Sequence, residues 1–529
     1  MKLEAMVGQK LMIGIPGARV GPAVLEIFRQ THAGGLILYR PNFASAEACR
    51  GLIADLEEKL GRKLIVAVDH EGGRVIHLAE GITVFPDNLA LGVTKNVDHA
   101  ARQGTIEALE LRRLGIDLNL APTLDVLTET FSPNIGIRSY GRDPELVAKL
   151  GAARIRAMQE AGLSACAKHF PGLGHSPLDP HLDLPVLAGT WESMRKIHLR
   201  PFLEAFGAGV DTVMSSHAVY PQLDAEKVPA TFSKRILRDF LRKELGFSGV
   251  VLSDDLEMGA LQSFGSIGDA ACRAAQAGHD MLLVCHEARA QKEVFQSLLG
   301  RFKDKTLDLA ELEKSVERIA ILKRRRSERF LKGAPHPEPE GKSLAQKIAR
   351  EAIRISTGEL DLFPPPQPPP FFAEKKKEGE EAVAVIFPRL SALKDKIFIE
   401  DVLGDEEKFL EGHFARRGLP PPRIQIVGFD PSPEEFKRAK QLAEISALTV
   451  FFCYDAHLFP QTRRLLEVLQ AIAKRCAVVL LRDPYDEVFL KKGTARVNAF
   501  GFRVCSLEAL MEMVCASKMH ASESKGDGL

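Results

Sequence analysis

From the N-terminus to about residue 330, short apolar runs recur between amphipathic stretches long enough to be helices. The runs are Gly35–Leu38, Leu64–Val68, Ile116–Leu120, Asp211–Met214, Gly249–Leu252 and Asp280–Val284. Strands spaced by helix-length segments imply a parallel sheet. Six or more such units within about 300 residues favour a closed barrel over an open sheet. The reading is an α/β protein whose residues 1–332 form a (β/α)8-like TIM barrel. Most runs end in polar residues, as in Val68-Asp69-His70-Glu71 and Leu252-Ser253-Asp254-Asp255. On a barrel those positions lie at the C-terminal mouth, where active sites are built.

The pattern changes beyond residue 332. Gly333 to Pro339 breaks helix, Ser343 to Ser356 reads as one amphipathic helix, and Pro364 to Pro370 reads as a polyproline spacer. Residues 333–380 are thus expected to be a linker. A smaller α/β sandwich is expected over 381–518, with strands at Ala382–Phe387, Ile424–Phe429, Leu448–Cys453 and Cys476–Leu481. Its helices are expected near Glu434–Ile445, Thr462–Lys474 and Leu507–Val514, and residues 519–529 are expected to be a disordered tail.

The 71 basic residues nearly cancel the 70 acidic ones, so bulk charge draws the chain to neither nucleic acid nor an anionic membrane. The run Lys323–Arg326 reads as the cationic end of a helix, facing water. No segment reaches the roughly 20 apolar residues of a membrane helix. The N-terminus lacks the features of a secretory signal, and the eight cysteines form neither a CxxC pair nor a disulfide framework. A reduced cytoplasm is the expected compartment; the sequence sets no oligomeric state.

Three segments carry chemistry. Lys168 to Pro185 is dense in glycine, proline and histidine, a composition that lines a site rather than a core. Within it Asp179 and His181 are two apart, so the carboxylate can hold the imidazole tautomer and raise its pKa for proton transfer. Equally, the segment can be a surface loop with incidental histidines. In Ser253-Asp254-Asp255, Asp254 directly follows an apolar run and is a candidate nucleophile, while Asp255 can cap the next helix; both can also be caps. Asp69 and Arg138 sit in glycine-rich loops suited to hydrogen-bonding a polyhydroxylated ligand. His70-Glu71 is not a zinc HExxH pair, because Arg74 occupies the second histidine's position.

Together these segments resemble glycoside hydrolase family 3, and within it the bacterial β-N-acetylglucosaminidases of peptidoglycan recycling. The family pattern Lys-His-Phe-Pro-Gly-x-Gly, four residues, Asp-Ser-His, three residues, Pro is matched from Lys168 to Pro185, except that Pro180 stands for the serine. Asp69 to Arg74, Ala121 to Val126, Arg138-Ser139 with Asp143-Pro144, Met214 to Pro221 and Leu245 to Leu256 are also similar.

The resemblance implies a retaining exo-hydrolase of terminal β-linked N-acetylglucosamine, with a saccharide as its partner and no metal or organic cofactor. By motif position it makes Asp254 the nucleophile, His181 the acid/base and Asp179 its orienting carboxylate. Asp69, Arg138, Lys168 and His169 match positions that hold the sugar. Two residues depart from the pattern. Pro180 fixes its own φ and restricts Asp179, and His77 stands where the recycling enzymes commonly carry arginine.

Three other readings stay open on the sequence. One is a metal-dependent hydrolase using His169, His175, His181, Asp179 and Asp183. The others are a sugar-binding protein that has lost turnover and a phosphorylase.

Overall fold

The computed structural model describes residues 1–129, 131–176, 184–328, 338–356, 383–393 and 403–514. Two compact units divide at Lys342/Ser343.

In the first unit eight parallel strands close into a barrel. They are β1 (Leu11–Ile13), β2 (Gly35–Leu38), β3 (Ile65–Val68), β4 (Leu118–Asn119), β5 (Ser164–Phe170), β6 (Thr212–Ser215), β7 (Val250–Asp255) and β8 (Met281–Val284), with β1 paired to β8. Alternate residues point inward, so Met12, Ile37, Ile65, Ala67, Cys166 and Leu252 fill the barrel while Leu36, Val66, Val251 and Leu282 meet the outer helices. Both faces are buried, which is why the strands read as unbroken apolar runs. Truncating an interior residue such as Ile37 to alanine is expected to cost about 2–5 kcal/mol.

The aspartates that precede several runs close the barrel's N-terminal face. Asp117 accepts the Val66 N–H at 3.0 Å, and Asp280 accepts that of Val251 at 2.9 Å. Arg112 pairs with Asp117 and Arg242 with Asp280. The basic run is tied into the same face rather than turned wholly to water. Arg325 pairs with buried Asp211, and Lys323 donates to Gln9 Oε1 at 2.6 Å.

One outer helix reaches the opposite face. Pro144–Glu160 starts on an Asp143 cap and carries Arg154, which is fully buried. Arg154 pairs with Glu107 at 2.8 Å and donates to the Glu71 carbonyl at 2.8 Å, bracing the loop after β3.

The second unit holds a six-stranded sheet in the order β11-β10-β12-β13-β14-β9, from β9 (Arg354–Ser356), β10 (Val383–Pro388), β11 (Arg423–Val427), β12 (Leu448–Cys453), β13 (Cys476–Leu480) and β14 (Ala495–Asn498). All pairs are parallel except β14–β9. The single helix expected over Ser343–Ser356 is a helix Glu338–Ala352 followed by β9. Ile353 and Ile355 continue the apolar spacing of the helix, but pairing with β14 takes the last residues into the sheet. The polyproline spacer and the expected tail lie outside the described residues. Among the described residues, no helix is long and apolar enough to cross a membrane.

Candidate active site

A cavity of about 300 Å³ opens at the C-terminal ends of the barrel strands. Asp69, Arg138, Lys168, His169 and Asp254 all line it, together with Tyr39. Tyr39, Asp69, the pair Lys168–His169 and Asp254 stand at or just after the ends of β2, β3, β5 and β7, Arg138 ends a turn at Gly136–Arg138, and closure of the barrel brings them together. Asp179 and His181 lie outside the described residues, as do Pro180 and Asp183.

The loop after β3 supplies the electrostatic centre. Its backbone turns sharply at Gly73 (φ +49°), where a Cβ would fall 2.0 Å from the Asp87 carboxyl carbon. Asp87 uses that space to accept the Arg74 N–H at 2.6 Å. The turn directs Glu71 inward, where its carboxylate takes two parallel bonds from Arg138, Nε to Oε2 and Nη2 to Oε1, each 2.8 Å. Lys168 Nζ lies 2.6 Å from both Glu71 Oε1 and Asp69 Oδ1.

Burial alone would raise the Glu71 carboxyl, but Arg138 and Lys168 outweigh it and hold the group well below the usual carboxylate range. Burial likewise works against the Lys168 ammonium, and Asp69 and Glu71 overcome it, keeping the lysine charged. Two fixed cations and a partly exposed Asp69 therefore face the cavity, a donor and acceptor set suited to sugar hydroxyls.

His169 is held from behind. Its Nδ1 lies 2.7 Å from Asp125 Oδ2, and Asp125 also accepts the N–H groups of His169 and Leu173, the latter at 2.6 Å. A carboxylate accepting at Nδ1 makes that nitrogen a proton carrier and fixes the ring's orientation. His175, the next histidine of the loop, stacks on His198 with ring centroids 4.1 Å apart. Among the described residues no three His, Cys, Asp or Glu side chains are grouped to hold a metal.

The two aspartates ending β7 occupy different environments. Asp254 is half-buried at the cavity, its Oδ1 accepting the Asp255 N–H at 2.8 Å. Asp255 is more deeply set, accepting the N–H groups of Glu257 (3.2 Å) and Cys285 (3.3 Å). Burial, with the Glu257 charge, pushes its carboxyl up to about 6. His217 Nε2 lies 2.9 Å from the Asp255 carbonyl and its Nδ1 lies 2.6 Å from Thr231 Oγ1, fixing the strand end that carries Asp254. His77 and His286 flank Tyr39 on one cavity wall, each ring centroid 5.1 Å from the tyrosine.

Sequence reasoning did not single out Glu71, Asp125 or Arg154. Glu71 stood between two named residues, Asp69 and Arg74, on a loop of tight glycines. A carboxylate in that position, in a set otherwise rich in Lys and Arg, was the available signal.

The model of the glycosyl hydrolase family 3 N terminal domain matches residues 2–322. A beta-hexosaminidase of Idiomarina loihiensis is 37% identical over 292 residues, 54% of this chain and 87% of that one. A beta-hexosaminidase of Pseudomonas aeruginosa is 39% identical over 297 residues, 55% of this chain and 87% of that one. The solved structure of a glycoside hydrolase family 3 beta-N-acetylglucosaminidase from Paenibacillus sp. str. FPU-7 superposes with a TM-score of 0.87 at 31% identity, covering 97% of each chain. The barrel, its mouth cavity and these likenesses together identify the chain as a member of glycosyl hydrolase family 3.

Proposed function

We propose that this protein is a retaining exo-β-N-acetylglucosaminidase that removes terminal β-linked N-acetylglucosamine from muropeptides or related saccharides in the cytoplasm. The observation that carries the reading is Asp254, an accessible carboxylate on the wall of a cavity whose polar groups include Asp69, Arg138, Lys168 and His169. The cavity lies at the small end of the roughly 300–1,000 Å³ usual for ligand sites, a size suited to one terminal sugar. The likeness to proteins named beta-hexosaminidase and beta-N-acetylglucosaminidase supports the choice of sugar. Cys49, Cys166, Cys285 and Cys453 are buried thiols, which suits a reducing compartment.

In this mechanism Lys168, Arg138, Asp69 and His169 bind the hydroxyls and set the anomeric carbon against Asp254. Asp254 attacks that carbon as His181 protonates the departing glycosidic oxygen, giving a glycosyl ester. His181, now neutral, takes a proton from water, which attacks the same carbon and releases Asp254 and the sugar with net retention. Asp179 orients His181 and stabilises its charged form, as a triad aspartate does.

The test is initial hydrolysis of an aryl β-N-acetylglucosaminide beside the matching β-glucoside, with chelator, for the wild type and Asp254→Asn. Turnover of the N-acetyl substrate that is lost in the variant is expected. Loss in chelator would turn the reading to a metal enzyme, and binding of N-acetylglucosamine without turnover to a sugar-binding protein. Phosphate-dependent release of sugar 1-phosphate would identify a phosphorylase.

A further inference from the structure

A second cavity of the barrel unit, about 550 Å³, lies at the opposite end of the barrel from the mouth. It opens beside the N-terminal ends of β1, β7 and β8 and is bounded by the helices Arg235–Glu244 and Leu309–Glu328. Its wall carries Lys10, Lys234, Arg238, Arg242, Lys314 and Arg318, with Lys243 at the edge; the carboxylates that line it are Asp308 and Glu311.

The acidic groups nearby, including Asp239, which pairs with Lys243 at 2.7 Å, do not balance these cations. Asp280, fully buried beneath the cavity, is shared by Arg242 and Arg318, the latter at 3.0 Å. Glu311 is shared by Lys314 at 2.9 Å and, more distantly, Arg238 at 3.8 Å.

Lys10 is the most telling group. It is 2% exposed, yet its Nζ donates only to neutral acceptors, the His279 carbonyl at 2.6 Å and Ser315 Oγ at 3.1 Å. Burial lowers its ammonium, Asp280 counters in part, and Arg318, Arg238 and Arg242 lower it further, to about 8. Arg238 Nε is buried and meets no hydrogen-bond acceptor among the described residues. Buried donors are normally satisfied, and a concave surface with excess charge of one sign focuses its field on a counter-ion.

We infer that this cavity is a binding site for a small phosphate-bearing anion, held by Lys10, Lys234, Arg238 and Lys314. A phosphate group presents acceptors on every side, so it can meet the exposed part of the Arg238 guanidinium and neighbouring ammonium groups at once. The cavity is concave and of ligand size, which favours a small molecule over a polymer. The inference is independent of the proposed reaction at the mouth.

Calorimetric titration at low ionic strength, with inorganic pyrophosphate and with glucosamine 6-phosphate as probes, tests it. The full chain is used as wild type, Arg238→Gln and Lys234→Gln. Saturable binding at one site is expected, weakened at least tenfold in Arg238→Gln and less in Lys234→Gln, with aryl-sugar hydrolysis unchanged in both. Tighter binding of the sugar phosphate would assign a phosphorylated sugar, and tighter binding of pyrophosphate an inorganic or nucleotide-type diphosphate. Thermal melting establishes that the variants are folded. The inference is overturned by absence of saturable binding of either probe, by affinity that survives both substitutions, or by displacement of the probe with N-acetylglucosamine, which would locate it at the mouth.

Discussion

Glu71 and Arg138, 67 residues apart, meet through two parallel 2.8 Å hydrogen bonds beneath the mouth cavity, and Lys168 shares the same carboxylate at 2.6 Å. The pair sets where two cations stand relative to Asp254, so geometry and charge at the mouth both depend on a residue that the cavity surface does not include.

Glu71→Gln leaves Arg138 and Lys168 buried with Asp125 and Asp69 as the remaining nearby counter-charges. Breaking a buried pair from one side costs about 3–5 kcal/mol. The variant is expected to lose about that much stability in urea unfolding, and kcat/KM is expected to fall by roughly 100-fold through misplacement of the binding cations. Unchanged stability and kinetics would contradict the assignment.

The same carboxylate predicts an acid limb of stability. Its folded pKa lies below the usual 4.5, so the unfolded chain binds the proton more readily. The Glu71 contribution is therefore fully present above about pH 4.5 and is lost as pH falls through the folded value. The stability gap between wild type and Glu71→Gln should be constant near neutrality and narrow below pH 4.5. A gap that widens on acidification would have the wrong sign.

Asp255 behaves in the opposite way, because burial and the Glu257 charge raise its carboxyl from 3.8 to about 6. Between those values the native state holds the proton and the unfolded state does not, so stability falls as pH rises through that window. Asp255→Asn should remove the slope. Ionisation near pH 6 also adds charge next to Asp254, so kcat/KM of the wild type is expected to change around that pH, and Asp255→Asn should lose this change while turnover persists. A profile that superposes on the wild type would rule out Asp255 as its source.

Asp125 anchors His169 and the start of the loop through three donors. Asp125→Ala leaves the His169 and Leu173 N–H groups unsatisfied in a buried site, at about 1–3 kcal/mol for each lost partner. Lower stability is expected together with a rise in KM that exceeds the fall in kcat, since His169 is assigned to binding. A loss of kcat at unchanged KM would move His169 into the chemical step.

How legible all this was in the sequence differs by element. The runs at β2, β3, β6, β7 and β8 are buried on both faces, so they stand out as apolar stretches whatever their surroundings. β1 is only three residues and follows buried Lys10, whose charge masks it; β14 alternates polar and apolar residues after Gly493-Thr494, too short a run to stand out from a loop. Asp254 and Asp69 could be picked out because strand ends at a barrel mouth are few, whereas Lys168 was named only through the family resemblance. Glu71 and Asp125 lie within stretches 69–74 and 121–126 that match the family, but their roles, like that of Arg154, were not legible, since a charged residue's partner is decided by closure of the barrel rather than by spacing along the chain. The Arg325–Asp211 pair was hidden for the same reason, and a cation at a helix end then looks solvent-facing.

Trapping the glycosyl-enzyme intermediate tests the central claim most directly. The wild type is incubated with 5-fluoro-β-N-acetylglucosaminyl fluoride, whose ring fluorine slows both steps while its good leaving group lets the first proceed, and the digested protein is mapped by mass spectrometry. The account predicts the mass of one fluorinated N-acetylglucosaminyl group on the peptide bearing Asp254, attached at that residue and absent from Asp254→Asn. Time-dependent inactivation with the adduct on another carboxylate, or turnover of the probe by Asp254→Asn at the wild-type rate, would contradict it.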